Sequence, residues 1–110
     1  MWLFSKNNFL SIVEDKDNPN RLLVRGRLRG DIEAMFPLAE VIEGVGSDYL
    51  FRAFVDRTAV VKAVADTVTN IDYTNFKSAN DNSRQAHLMG SWQVMRDVQG
   101  DRYPDEDIFY

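Results

Sequence analysis

The chain has no cysteine and a single histidine, His87. The first absence excludes disulfide staples, thiolate zinc sites and a cysteine nucleophile. The second excludes a multi-histidine metal site, and a Ser-His-Asp reading would rest on one residue with no nucleophile motif around it. No G-x-S-x-G, glycine-rich phosphate loop or H-E-x-x-H is present either. Long apolar runs are missing: the opening "MWLF" gives way at once to "SKNN", too short for a secretory signal core and far too short to span a bilayer. A cytoplasmic location without membrane contact is the expectation. An excess of positive charge is missing as well. Thirteen Lys and Arg stand against seventeen Asp and Glu, a net charge of −4, so general nucleic-acid binding is not expected, because that affinity grows from cations neutralising phosphates. Neighbouring carboxylates such as Asp15 with Asp17 and Asp105 with Asp107 fall in expected loops or tail, where the fixed geometry of a two-carboxylate site is lacking. No metal and no cofactor is expected.

What is present is apolar residues, 45% of 110, including seven Phe, two Trp and four Tyr. That suffices for one core and one domain, placed at residues 1–100, with an acidic and aromatic tail at 101–110. "NFLSIVED" (8–15) reads as a strand, and "DKDNPN" (15–20) as a loop or wide hairpin connection. In "LLVRGRLR" (22–29) the period is two, with Val24, Gly26 and Leu28 on one face and Leu23, Arg25, Arg27 and Arg29 on the other. A short helix follows over 30–37, with Asp31 as cap and Ile32, Met35 and Phe36 facing inward. "AEVIEGV" (39–45) and "DYLFRAFVD" (48–56) flank the turn signal "GSD" and read as a hairpin in which Tyr49, Phe51, Ala53 and Val55 share a face. Val60, Val61, Val64, Val68 and Ile71 recur at helical spacing over 58–71. A last helix over 83–98 carries Leu88, Met89, Trp92, Met95 and Val98, with Gly100 as its stop.

"LLVRGRLRGDIEA" (22–34) aligns without a gap on "YLFRAFVDRTAVV" (49–61), which sets Arg25 on Arg52, Gly26 on Ala53 and Leu28 on Val55. The order is thus ββα twice over. The expected fold class is α+β, a two-layer sandwich of an antiparallel four-stranded sheet (ββαββα, ferredoxin-like or a hairpin-helix duplication) with an added C-terminal helix.

Two candidate surfaces follow. Arg25, Arg27, Arg29 and Arg52 would line the sheet face away from the helices, where paired guanidinium donors suit carboxylate or phosphate. Cross-strand ion pairs with Glu14, Glu40, Glu43 and Asp56 would use up the same residues. In "NIDYTNFK" (70–77), Tyr73 and Phe76 lie three apart and Asp72 and Asn75 supply local hydrogen bonds, so the rings fasten a loop or, with Lys77, meet a partner. His87 reads as a solvent-facing helix position.

Taken as an ordered set, the N-terminal Met-aromatic-x-Phe, the "LLVRxR" strand and the "IDYxNFK" segment resemble small uncharacterised bacterial proteins. The resemblance implies no activity and no catalytic residue. The functional expectation is a non-catalytic intracellular protein-interaction domain of bacterial or phage origin, binding through the Arg-bearing face, the aromatic loop or both. A protein partner is expected, and self-association stays open. Two alternatives compete: a small enzyme or anion-ligand receptor using the arginines with His87, and a phage-encoded acidic inhibitor of host defence built on Asp97, Asp101, Asp105, Glu106 and Asp107.

Overall fold

In the computed structural model, residues 1–44 and 46–104 are described, and the chain divides into two compact units, Met1–Asp72 and Tyr73–Tyr110. The first unit begins with a strand that the sequence reading passed over. β1 (Trp2–Ser5) alternates strictly, Leu3 and Ser5 facing in, Trp2 and Phe4 out, and it pairs with β2 (Asn8–Asp15) from Trp2 opposite Ser11 to Ser5 opposite Asn8. The two-residue turn between them needs a left-handed residue, and Asn7 supplies it at φ 54°.

β3 (Asn18–Gly26) returns after a turn of Lys16 and Asp17, tighter than the wide connection expected there. Asp15 closes that turn. Its Oδ1 accepts the Asp17 N–H at 3.1 Å, and its Oδ2 accepts Arg21 Nε at 2.7 Å. β3 also starts and ends earlier than 22–29. Residues 27–30 bend away from the sheet, with Gly30 at φ 95°, so Leu28 is exposed rather than inward.

α1 (Asp31–Met35) is capped by the Gly30 backbone and not by the Asp31 side chain. Asp31 is buried and turned instead to β2: Phe9 N–H donates to its Oδ2 at 3.2 Å, and Asn8 Nδ2 donates to its carbonyl at 2.8 Å. The second hairpin, β4 (Ile42–Glu43) and β5 (Phe51–Asp56), is shorter than expected and runs directly into α2 (Arg57–Thr69).

The sheet is antiparallel throughout and has five strands, not four, in the order β1-β2-β3-β5-β4. The chain crosses over through α1 and β4 before β5 pairs with β3, and the added edge strand β1 is what departs from the expected four-stranded, ferredoxin-like sheet. One sheet face contributes Leu10, Ile12, Val24, Phe51 and Ala53 to the core, which Ile32 and Phe36 from the α1 segment and Val60 from α2 complete. Gly26 lets α1 close down, because a Cβ there would stand 3.3 Å from Ile32 Cγ1. On α2 the inward line is Val60, Ala63 and Val64, whereas Val61 and Val68 are exposed. At about 100° per residue those two lie well round the helix from Val60.

The second unit holds α3 (Phe76–Ala79) and α4 (Asn82–Arg102). Asp81 Oδ1 caps α4 by accepting the Arg84 N–H at 3.1 Å. The helix passes through Gly100, closing only where Tyr103 N–H meets the Gln99 carbonyl at 2.9 Å. Its expected inward stripe is not buried: Met89, Met95 and Val98 are exposed. Met89 and Val98 fall to either side of the line through Leu88, Trp92 and Met95, so the apolar positions spread round the cylinder. Of the tail, 101–104 continue and end the helix, and 105–110 lie outside the described residues. Among the described residues no helix is long and apolar enough to cross a membrane.

Two outcomes test this account. Leu10→Ala, at a fully buried position, should lower stability by about 2–5 kcal/mol in urea unfolding. The Asp15 carboxyl is held below its ordinary range, first by the Asp17 N–H and then by Arg21. Its contribution is therefore complete above the unfolded value of about 3.9 and is lost as pH falls through the lower folded value. Asp15→Asn should accordingly lose less of its stability than the parent protein does below about pH 4, read from unfolding midpoints at stepped pH.

Candidate functional site

Strand alternation sorts the side chains of the first unit into two sets, and both helices cover the same one. On the other face, register sets Trp2, Ser11, Arg25, Arg52 and Ile42 side by side in a row across all five strands. Val13, Leu23 and Phe54 make the next row to one side, and Phe4 and Phe9 the row to the other. The rings gather at the β1 end: Phe4 stacks on Phe9 at 4.5 Å between centroids, and Trp2 meets Phe9 edge-on at 6.1 Å. Trp2 is 71% exposed, and Phe4, Ile42 and Phe54 are exposed with it. The Arg21 guanidinium covers part of the Phe54 ring at 4.4 Å.

At the centre stand two arginines in direct opposition. Met1 and Ile12 exchange both backbone hydrogen bonds, each 2.8 Å, which sets the alternation of the ladder. Counting strand by strand, Ser11 and Arg25 are then a bonded pair and Arg25 and Arg52 a non-bonded one. The Gly44 N–H to Leu50 carbonyl bond at 2.7 Å, counted from the other edge, gives the same phase. Non-bonded pairs bring the Cα atoms to about 4.5 Å and their side chains closest together.

The two guanidiniums differ in support. Arg25 Nη2 donates to Ser11 Oγ at 2.8 Å, and its guanidinium lies 4.6 Å from the centroid of the Tyr49 ring. The Arg52 side chain makes no hydrogen bond and no ion pair among the described residues. Both Nε atoms are buried and unbonded. The terminal nitrogens Arg25 Nη1 and Arg52 Nη1 and Nη2 are neither bonded nor buried, so they reach solvent. Among the described residues no carboxylate forms an ion pair with either group. The expected cross-strand acids are engaged elsewhere or left unpaired: Glu14 takes Arg57 at 2.7 Å, and Glu43 takes Arg29 at 3.3 Å.

Arg27 and Arg29 follow different courses because β3 ends at Gly26 and its alternation ends with it. Arg27 stays near Arg25 through the Tyr49 ring, 4.1 Å away, and donates to the Asp48 side chain at 3.3 Å, which raises its already high pKa. Tyr49 is buried under these two guanidiniums and does not join the core with Phe51, Ala53 and Val55 as expected. Arg29 lies over Phe51 at 5.0 Å and bonds Glu43, both members of the helix-side row, so it leaves the arginine face altogether.

In the second unit Tyr73 and Phe76 contact each other at 5.7 Å, Asn75 Oδ1 caps α3 by accepting the Ser78 N–H, and the Lys77 ammonium lies 4.5 Å over the Trp92 ring. These side chains hold their own segment together. His87 is exposed on α4, as are Asp97 and Asp101, whereas Asp105, Glu106 and Asp107 lie outside the described residues. Among the described residues no cluster of three metal-ligating side chains forms.

Trp2, Phe4, Phe9, Ile42 and Phe54 were not singled out from the sequence. The signal for the first three was the alternation in "WLFS" followed by a Lys-Asn turn, which marks a hairpin rather than an apolar leader. No protein-family model, curated protein or solved structure matches the chain.

Like charges directly opposite on antiparallel strands destabilise by roughly 0.2–1 kcal/mol. Arg52→Thr removes that repulsion and one buried unbonded nitrogen while keeping a strand-favouring side chain. Its urea midpoint should therefore lie above that of the parent. Arg25→Thr should gain less, because it also gives up the Ser11 bond and the Tyr49 contact.

Proposed function

We propose that the chain is a non-catalytic intracellular protein-interaction domain that docks an acidic protein partner on the outer face of its sheet. The observation that carries the reading is the central pair Arg25 and Arg52, without an ion-pair partner among the described residues, on a face that also exposes Trp2, Phe4 and Phe54. A sheet face that belonged to water would alternate with paired charges. This one instead presents Trp2, Phe4, Phe9 and Phe54, with Leu23, Val13 and Ile42 between them. Aromatic residues and arginine are the side chains that anchor interfaces, since they bring large contact area together with directional hydrogen bonding. Contiguous exposed apolar surface on a folded unit favours the same conclusion.

The charge balance supports an acidic partner over a basic one, even though the chain carries a net −4. Recognition is decided by the local patch, and two arginines opposed across β3 and β5, without ion pairs among the described residues, set its sign. Tyr73, Phe76 and Lys77 are spent on contacts within their own segment, so they add nothing to this proposed surface.

Affinity capture with the full chain, followed by direct binding measurement on the captured protein, tests the reading. Trp2→Ala with Phe54→Ala should weaken binding by tenfold or more, in the range of hot-spot losses above about 1.4 kcal/mol. Lys62→Glu, on α2 and therefore behind the sheet, should leave binding unchanged. Equal binding by the aromatic double variant and the parent would remove the outer face from the interaction.

A further inference from the structure

Resting on that reading, we infer that Arg25 and Arg52 form a clamp for one carboxylate, supplied by an acidic side chain of the partner and flanked there by apolar residues. The argument begins with local symmetry. The alignment that sets Arg25 on Arg52 also sets Val24 on Phe51 and Gly26 on Ala53. In the sheet, Val24 lies opposite Ala53 and Gly26 opposite Phe51. Each strand therefore meets the other as its own counterpart, and the local two-fold passes between the two arginines.

A group bound on that axis meets one guanidinium on each side. A carboxylate has the matching shape, with two equivalent oxygens about its own two-fold, one for the open Nη1 of Arg25 and one for an open Nη of Arg52. Its single negative charge sits between two positive ones and replaces their repulsion with two attractions. A phosphate presents further oxygens that also need donors. The surroundings offer few: Ser11, which accepts from Arg25, is only 1% exposed, and Ile42, Leu23 and Phe54 donate nothing from their side chains. The same apolar neighbours suit the methylene stem of Glu or the side chains that flank it, and they lower the local polarity in which the clamp acts, which strengthens charge-assisted bonds.

The support beneath the clamp is fixed before any ligand arrives. Arg25 is held by Ser11 and by the Tyr49 ring, which Arg27 covers from its own side, so its Nη1 is presented without further ordering. Arg52 lacks such a tether. Binding should therefore order Arg52 more than Arg25, a difference that a ligand-induced change can report.

The experiment uses the full chain with side-chain Nε–Hε signals of its arginines observed by NMR. The probes are N-acetyl-glutamate N-methylamide, the matching glutamine compound and inorganic phosphate, all at constant ionic strength. The blocked glutamate should shift the Arg25 and Arg52 signals saturably, with the larger change at Arg52, and the glutamine compound should not. Arg52→Gln should weaken the blocked glutamate about tenfold or more, consistent with loss of a charge-assisted hydrogen bond, whereas Arg57→Gln, paired with Glu14 elsewhere, should not. A glutamate response of equal size in Arg52→Gln and parent overturns the clamp. A stronger saturable response to phosphate than to the carboxylate overturns the choice of ligand. In partner binding, Arg25→Gln with Arg52→Gln having no effect while Trp2→Ala with Phe54→Ala abolishes it would sink the clamp and leave the docking face standing. Loss with both double variants supports both.

Discussion

The pairing of β3 with β5 is the constraint on which the first unit turns. These two central strands each feed a helix, α1 after a four-residue bend and α2 with no gap, and each has a hairpin partner on its outer side. Once Val24 is opposite Ala53, the small side chain of one strand lies beside the larger one of the other, and Gly26 lies beside Phe51 in the same complementary way. Ile32 and Val60 then pack onto that surface from the helix side. A slip of either strand by one residue would reverse every side chain in it, taking Val24 or Ala53 out to solvent and carrying that strand's arginine into the core. Burying an unpaired guanidinium costs far more than the repulsion it suffers where it stands. The arginines therefore help to specify the register even while they oppose each other across it.

That same register explains why the two faces differ so sharply in chemistry. The helix-side rows are apolar at the centre and end in the Arg29 and Glu43 pair at the β4 edge. The outer rows have charge at the centre and rings toward the β1 edge. On an ordinary solvated sheet, acids opposite Arg25 and Arg52 would neutralise them, and suitable acids exist nearby in sequence. Glu14 and Glu43, however, belong to the helix-side set by the period of two, since they lie in line with Leu22 and Phe51. The strand geometry, rather than any shortage of carboxylates, keeps these acids away from the arginine pair.

Much of the first unit was legible because its signals are local. The ββα order repeated twice, the period of two in residues 22–26 and the offset alignment of Arg25 on Arg52 all concern neighbours along the chain, and all reappear as geometry. What could not be read were the ends of elements. Arg27 and Arg29 continue the alternating pattern in sequence, but nothing in that pattern announces that the chain leaves the sheet after Gly26. Gly30 in the left-handed region is the only mark of the bend, and a glycine there is equally consistent with an ordinary helix start. Asp31 illustrates a similar ambiguity. Its position before a short apolar run is that of a cap, and only the third dimension brings the Phe9 N–H within its reach. On α4 the apolar residues are spaced loosely enough to satisfy a helical template without forming a narrow face, which is why an inward stripe was inferred where none is buried.

β1 gives the aromatic part of the outer face its footing, and it does so at a sheet edge. Because Met1 and Ile12 form a bonded pair, the backbone groups of Leu3 and Ser5 also turn toward β2, and those of Trp2 and Phe4 turn outward. The residues whose side chains gather on the outer face are thus the same ones whose backbone lacks a partner within the sheet. Charge, proline and bulges commonly protect such an edge, and β1 has none of these along Trp2–Ser5. The opposite edge is only the two residues of β4, and Arg29 bridges to Glu43 there. A partner that lies across Trp2 and Phe4 would shield exposed ring and exposed backbone in a single contact, whereas one confined to the β4 side would find little of either. The physical asymmetry of the two edges therefore points the same way as the asymmetry of the two faces, toward a surface that begins at β1 and reaches inward to the arginine pair.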